Sequence, residues 1–294
     1  MTVFRPKEFL FSEDREVTLR RLKEERKRAH VIAGGTGFYE LARRGYVPEV
    51  KKLVSLMKLG LDYIRDDKSV LTVGATTRLQ TFLDSGFADE DGLEAVGDAL
   101  REIRPVQVRN VATIGGEICI SVPIVDLPTA LLACGARIRI LSSNNEERSL
   151  ELEDFYIDAF LTKLKYGEIV KEVAIPKKMS SDREHSAFVK FGRTAYDFNL
   201  VNAAVSLAVK DEGRVSSIRT FLGGIRRTPV RATNFEEKLL GKRIDEKTVI
   251  EAAKDAFEKE KLLPSVHGSA DYKMAILPIA LRDCILKAYQ RSTR

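Results

Sequence analysis

Cysteine is scarce in this chain. Only Cys119, Cys134 and Cys284 occur in 294 residues, and no two form a C-x-x-C pair. An iron–sulfur cluster usually needs about four thiolates, so none is expected on this chain. The wide spacing gives no disulfide framework either, and each thiol reads as a small buried apolar group. Histidine is as rare: His30, His185 and His267 show no H-x-x-x-H or similar spacing, so no metal site is expected. No run approaches the ~20 apolar residues of a membrane span. The opening Met1-Thr2-Val3-Phe4-Arg5-Pro6-Lys7 lacks the apolar stretch of a secretory signal, and a cytoplasmic location is expected.

A one-signed charge is also lacking. The 49 basic and 43 acidic residues leave a net charge of +6. The most basic stretch, Arg20-Arg21-Leu22-Lys23-Glu24-Glu25-Arg26-Lys27-Arg28, is interrupted by acids. It reads as a solvated helix face, and no nucleic-acid partner is expected. The small basic excess suits an acidic partner protein or an anionic cofactor.

What the chain does contain is clear apolar periodicity. Residues 13–28 read as a charged helix with Leu19 and Leu22 as its apolar stripe. His30-Val31-Ile32-Ala33 is a short strand that runs into Gly34-Gly35-Thr36-Gly37, and a helix over 38–45 follows, closed by glycine. Residues 50–56 form a further strand, and 63–65 with 70–74 predict a hairpin about Asp66-Asp67. Thr77 predicts the N-cap of a helix reaching Leu83, and 93–103 a longer helix. The apolar segment 111–114 breaks into Gly115-Gly116, and Asp126-Leu127-Pro128 opens a helix through Cys134. Residues 136–141 and 169–176 are strands, and polar 177–184 is a linker. Beyond it, 187–191, 203–210 and 215–222 predict an antiparallel meander with a turn at Asp211-Glu212-Gly213, and 236–240, 248–259 and 272–289 are helical. The whole is an α+β chain of two lobes dividing near Lys177.

Two glycine segments carry the chemistry. Glycines let a backbone approach an anion and aim N–H groups at it. A strand leading into Ala33-Gly34-Gly35-Thr36-Gly37, with a helix behind, suits a phosphate; a tight strand–helix turn explains the same residues. The pattern is neither G-x-G-x-x-G nor a P-loop, since Phe38 and Tyr39 follow where the P-loop has lysine. Thr113-Ile114-Gly115-Gly116 repeats the logic. Two such segments in one lobe are able to clamp the two phosphates of a dinucleotide, with Thr36 and Thr113 adding hydroxyl donors.

The flanks of the second segment are specific. Arg109-Asn110-Val111-Ala112-Thr113-Ile114-Gly115-Gly116-Glu117-Ile118, then Pro123-Ile124-Val125-Asp126, resembles the R-N-x-A-T-I-G-G-N-I…P-x-x-D signature of the FAD-binding medium subunits of molybdenum hydroxylases, the xanthine dehydrogenase and aerobic carbon monoxide dehydrogenase family. Ala33-Gly34-Gly35-Thr36, Gly74-Ala75-Thr76-Thr77, Gly167-Glu168-Ile169-Val170, Ala187-Phe188-Val189-Lys190 and Asp271-Tyr272-Lys273 resemble its other motifs in the right order, over nearly the whole chain.

The resemblance implies a two-part FAD-binding lobe of the vanillyl-alcohol oxidase type over 1–177, with subdomains of about 1–57 and 58–177. A smaller α+β domain, a three-stranded antiparallel sheet plus helices, would follow over 178–294. It implies FAD along Val31, Ile32, Ala33, Gly34, Gly35, Thr36, Gly37 and Phe38, with Gly74 and Ala75 in the next matching motif. Thr113, Gly116 and Glu117 would form the opposite jaw. Asp126 would bond a polar part of the cofactor or cap its helix, Ile169 and Val170 would approach a ring, and Lys190 would lie near the flavin or on the surface. Two positions depart from the pattern: Gly37-Phe38 stands for D-L, and Glu117 for Asn. A carboxylate is repelled by pyrophosphate, so Glu117 is expected to face a ribityl hydroxyl.

The resemblance further implies noncovalent FAD, His30 being the sole histidine near the loops. This chain would have no catalytic side chain of its own. The molybdenum cofactor and 2Fe–2S clusters would sit on partners, a large molybdopterin-binding subunit and a small iron–sulfur subunit. FAD here would pass electrons to an external acceptor. The alternatives are a stand-alone flavin oxidoreductase with its own substrate pocket, and a basic α+β module that binds protein or RNA.

Overall fold

A computed structural model describes residues 6–46, 51–177, 183–210, 212–254, 256–257, 262–265 and 268–292. Residue 50 of the expected third strand, residues 178–182 of the expected linker, Asp211 of the expected turn, residues 255 and 258–259 of the expected helix, and His267 lie outside them. In chain order the strands are β1 (Glu8–Phe11), β2 (Ala29–Ile32), β3 (Lys52–Ser55), β4 (Ile64–Asp66), β5 (Val70–Gly74), β6 (Arg137–Ser142), β7 (Glu147–Glu151), β8 (Tyr156–Asp158), β9 (Leu161–Thr162), β10 (Glu168–Pro176), β11 (Arg183–Phe191), β12 (Val201–Val209), β13 (Val215–Gly223) and β14 (Val230–Arg231). The helices are α1 (Arg15–Glu25), α2 (Thr36–Arg43), α3 (Leu79–Asp84), α4 (Glu94–Glu102), α5 (Val106–Arg109), α6 (Ile114–Cys119), α7 (Leu127–Ala133), α8 (Thr233–Leu239), α9 (Glu246–Lys254) and α10 (Ala270–Ser292). Among the described residues no helix is long and apolar enough to cross a membrane.

Two compact units interleave along the chain. The first comprises Met1–Asp84, Val106–Ser121 and Arg137–Ile175. It holds a parallel sheet in the order β1-β3-β2 and a five-stranded sheet in the order β4-β5-β10-β6-β7. Asp14 caps α1 by accepting from the Val17 N–H at 3.0 Å. Leu19 and Leu22 of that helix then bury against Ala29, Val54 and Leu56, and the same core reaches Leu141 and Ile169 in the larger sheet. The hydrophobic core thus ties the two sheets together, which fixes where β2 delivers its glycine loop.

The second unit comprises Ser85–Pro105, Val122–Ala136 and Pro176–Arg294. Its sheet runs β11-β12-β13-β14, so a two-residue strand is added to the expected meander of three. β12 is buried at all but one position, so it needs apolar cover on both faces. α10 packs on β11 and β12, and α4 and α7 pack on the same sheet. That demand explains why two segments from the first half of the chain cluster with the C-terminal strands.

Candidate cofactor site

The first glycine loop is a sharp entry into α2. Gly35 occupies the N-cap with φ +78, in the left-handed region where glycine is favoured. The first backbone bond of the helix runs from the Tyr39 N–H to the Gly35 carbonyl at 2.9 Å. The N–H groups of Thr36 and Gly37 precede it, at the positive end of the helix dipole. A Cβ on Gly34 would overlap the Val111 carbonyl, so the loop backbone lies directly on the backbone ahead of the second segment.

That second segment is not a loop. Gly115 and Gly116 lie in the first turn of α6, with Thr113 as its N-cap. Its amides are engaged within the protein. Ile114 donates to Thr77 O at 3.0 Å, Gly115 to Ala75 O at 2.9 Å, Gly116 to Thr113 Oγ1 at 3.2 Å and Glu117 to Thr113 O at 3.0 Å. These internal bonds account for every amide of residues 114–117. The glycine at 115 is needed for close packing instead, since a Cβ there would sit 2.7 Å from Ala75 O. What Thr113 retains is its hydroxyl proton, because accepting one bond leaves a hydroxyl able to donate.

The two segments wall a cavity of about 480 Å³ within the first unit, a size suited to a cofactor. Val31, Ile32, Ala33, Gly34, Gly35, Thr36, Gly37 and Phe38 line it, with Ala75, Thr113, Gly116, Glu117, Ile169 and Val170. Gly74 stands behind the wall, its N–H bonded to Tyr63 O at 2.8 Å. Thr77, read as a helix cap, instead exchanges hydrogen bonds with the Tyr63 backbone at 3.1 Å. His30, Cys119, Ile120, Phe160 and Leu164 also line the cavity. Of these, sequence reasoning weighed His30 for a covalent link and Cys119 as a buried thiol, and it had no motif for Phe160.

Among the described lining residues there is neither lysine nor arginine. Glu168 is neutralised by Arg148 through contacts of 3.0 and 2.7 Å. Burial raises its pKa, but Arg148 outweighs burial and holds the carboxyl below its ordinary range. Burial pushes the His30 imidazole down and the Cys119 thiol up to about 12, so both are neutral near pH 7. His30 Nδ1 is buried with no hydrogen-bond partner among the described residues, a group that a bound molecule is able to satisfy. An anion here would be held by the first-turn amides of α2 and the Thr113 hydroxyl. The glycine-thinned loop at the start of α2 and the orphaned imidazole nitrogen fit a dinucleotide such as FAD.

Asp126 and Lys190 belong to the second unit. Asp126 stands at the N-cap position of α7 but makes no capping bond. Its Oδ1 accepts from Asn199 and Asn202, each at 3.0 Å, and its Oδ2 accepts from Lys190 Nζ at 2.8 Å. Lys190 is no surface lysine, with a side chain 7% exposed.

Known proteins resemble this chain over most of its length. Residues 14–178 match the family described as the FAD binding domain in molybdopterin dehydrogenase. Residues 186–288 match the CO dehydrogenase flavoprotein C-terminal domain. The glyceraldehyde dehydrogenase medium chain of Sulfolobus acidocaldarius is 30% identical over 74% of this chain and 76% of its own. The 6-hydroxypseudooxynicotine dehydrogenase complex subunit alpha of Paenarthrobacter nicotinovorans is 26% identical over 97% and 95%. Among solved structures, quinoline 2-oxidoreductase from Pseudomonas putida 86 superposes with a TM-score of 0.88 at 28% identity, covering 100% of both chains. Carbon monoxide dehydrogenase of Hydrogenophaga pseudoflava superposes with a TM-score of 0.89 at 25% identity, covering 99% of both. With more than half its length inside the first family, this chain belongs to the FAD-binding flavoproteins of the molybdopterin dehydrogenases, which are oxidoreductases.

Proposed function

We propose that this chain is the electron-transfer subunit of a multi-subunit molybdenum-containing hydroxylase or dehydrogenase. It receives electrons from 2Fe–2S clusters of a small partner subunit, beside a large molybdopterin-binding subunit, and passes them to an external acceptor. The carrying observation is the cavity of the first unit, on whose wall the glycine loop sets the first turn of α2. Val31–Phe38 would hold the pyrophosphate and its flanking sugar, with Thr113, Gly116 and Glu117 opposite and Ile169 and Val170 against a ring. When bound, FAD supplies reversible electron exchange. The protein's own residues supply position: α2 orients the anion, and Ile169, Val170 and Ile120 exclude water.

The relatives' names support a partnered subunit, since two of them are a medium chain and a complex subunit. The matched ranges 14–178 and 186–288 support an FAD-binding domain over 1–177 and a C-terminal domain over 178–294. Three free cysteines support a reducing, cytoplasmic setting. Purification of the native complex tests the reading, with mass and metal analysis. FAD, molybdenum and iron are expected with two further subunits, and acid should release all the flavin from this chain. A single chain that turns over a substrate alone would instead make it a self-contained flavin oxidoreductase.

A further inference from the structure

The β8–β9 hairpin meets the cavity in an unusual backbone state. Phe160, in its turn, has φ +61, and Ser121 has φ +47. Neither is glycine, and side-chain-bearing residues hold such angles only where their surroundings impose them. The two residues impose it on each other. The Phe160 N–H donates to Ser121 O at 2.7 Å, and the Ser121 hydroxyl donates to Asp158 O at 2.9 Å. Ala159 closes the turn by donating to Asp158 Oδ1 at 2.8 Å. The outcome is an aromatic ring 58% exposed to solvent that also lines the cavity.

The same hairpin holds a polar group behind the cavity wall. The Tyr156 hydroxyl is buried with no hydrogen-bond partner among the described residues. Burial, then Cys119 and Glu117 nearby, push its phenol well above the ordinary range. Both neighbours line the cavity. A buried O–H without an acceptor is costly unless something bound supplies one.

Position says which part of a dinucleotide is involved. Ile120, the neighbour of Ser121, reaches the first glycine loop, where its Cδ1 fills the space a Cβ on Gly37 would take. Phe160 and the start of α2 line the same cavity, joined through Ser121 and Ile120. In FAD the adenine is one ribose from the phosphates, whereas the flavin is held off by the open ribityl chain.

We infer that Phe160 is the platform on which the adenine ring stacks, so that this hairpin selects FAD over FMN. The inference rests on FAD occupying this cavity. Stacking on an aromatic ring contributes enough per base that its loss weakens binding roughly tenfold or more.

The test uses the full chain stripped of flavin, titrated with FAD, ADP and FMN. Phe160→Ala weakens FAD and ADP roughly tenfold or more and leaves FMN unchanged. Phe160→Leu, which keeps apolar bulk without a stacking face, shows the same selectivity if the alanine variant folds poorly. ADP binding that is absent in the parent or untouched by the substitutions overturns the inference, as does an equal loss of FMN. Gly37→Val separates a failure of the premise: if it leaves FAD affinity as it was, the cofactor lies elsewhere and the inference falls with that placement.

Discussion

The Lys190 ammonium donates to Asp126 across 2.8 Å, with side chains 7% and 5% exposed. Lys190 also reaches Glu102 O at 3.2 Å, and two asparagines hold the far carboxylate oxygen. Removing one partner strands the other charge in a dry interior, which costs roughly 3–5 kcal/mol. Lys190→Met is expected to lower stability by that order in urea unfolding. A double Lys190→Met, Asp126→Leu variant should recover much of it, and no recovery would mean the pair does not act as a unit.

Two glycines of the first loop should respond differently to alanine. At Gly34 the added methyl meets the Val111 carbonyl and backbone, which cannot step aside. At Gly37 it meets only the flexible tip of Ile120. Gly34→Ala should cost about 1–3 kcal/mol and release flavin, and Gly37→Ala should cost less. Thermal unfolding and bound-flavin absorbance check both, and equal losses would contradict the packing described.

Acid should weaken the second unit through Asp98. Burial raises this carboxyl's pKa, yet Arg291 at 2.9 and 3.0 Å and Lys287 at 2.9 Å outweigh burial and leave it lowered. A group with a depressed folded pKa stabilises the fold above its unfolded pKa, about 3.9 for Asp. That contribution is lost as pH falls through the lower folded value. Asp98→Asn should therefore be less stable than the parent near pH 7, with the difference shrinking below about pH 4. A difference that stays constant through acid would remove the ion pair as its cause.

The thiols should be inert in the folded chain. Burial raises Cys119 and Cys134 to about 12 and raises Cys284 further. The thiolate is the reactive form, so iodoacetamide near pH 8 should label none of them until the chain is unfolded. Fast labelling of folded protein, read by mass spectrometry, would show that a thiol is activated.

Much of this architecture was legible from periodicity. α1, β2, α2, the β4–β5 hairpin and the β11–β13 meander follow from apolar spacing and turn residues. Thr113-Ile114-Gly115-Gly116 misled because adjacent glycines disfavour a helix. Packing of Gly115 on Ala75 and capping by Thr113 override that preference. β1, β8 and β9 are two to four residues long, too short to carry a period. Phe160 escaped because its backbone conformation depends on Ser121, distant in sequence. Asp126 was placed correctly at a helix start, but its partners lie 64 to 76 residues away, beyond any local rule.

The first turn of α2 bears on how this loop is able to vary. A grip made of main-chain dipoles does not depend on which side chains surround it, only on the path the backbone takes. Constraint therefore falls on conformation: Gly35 at φ +78 and Gly34 against Val111 are fixed by backbone, whereas at Gly37 an added methyl meets a side chain, the tip of Ile120.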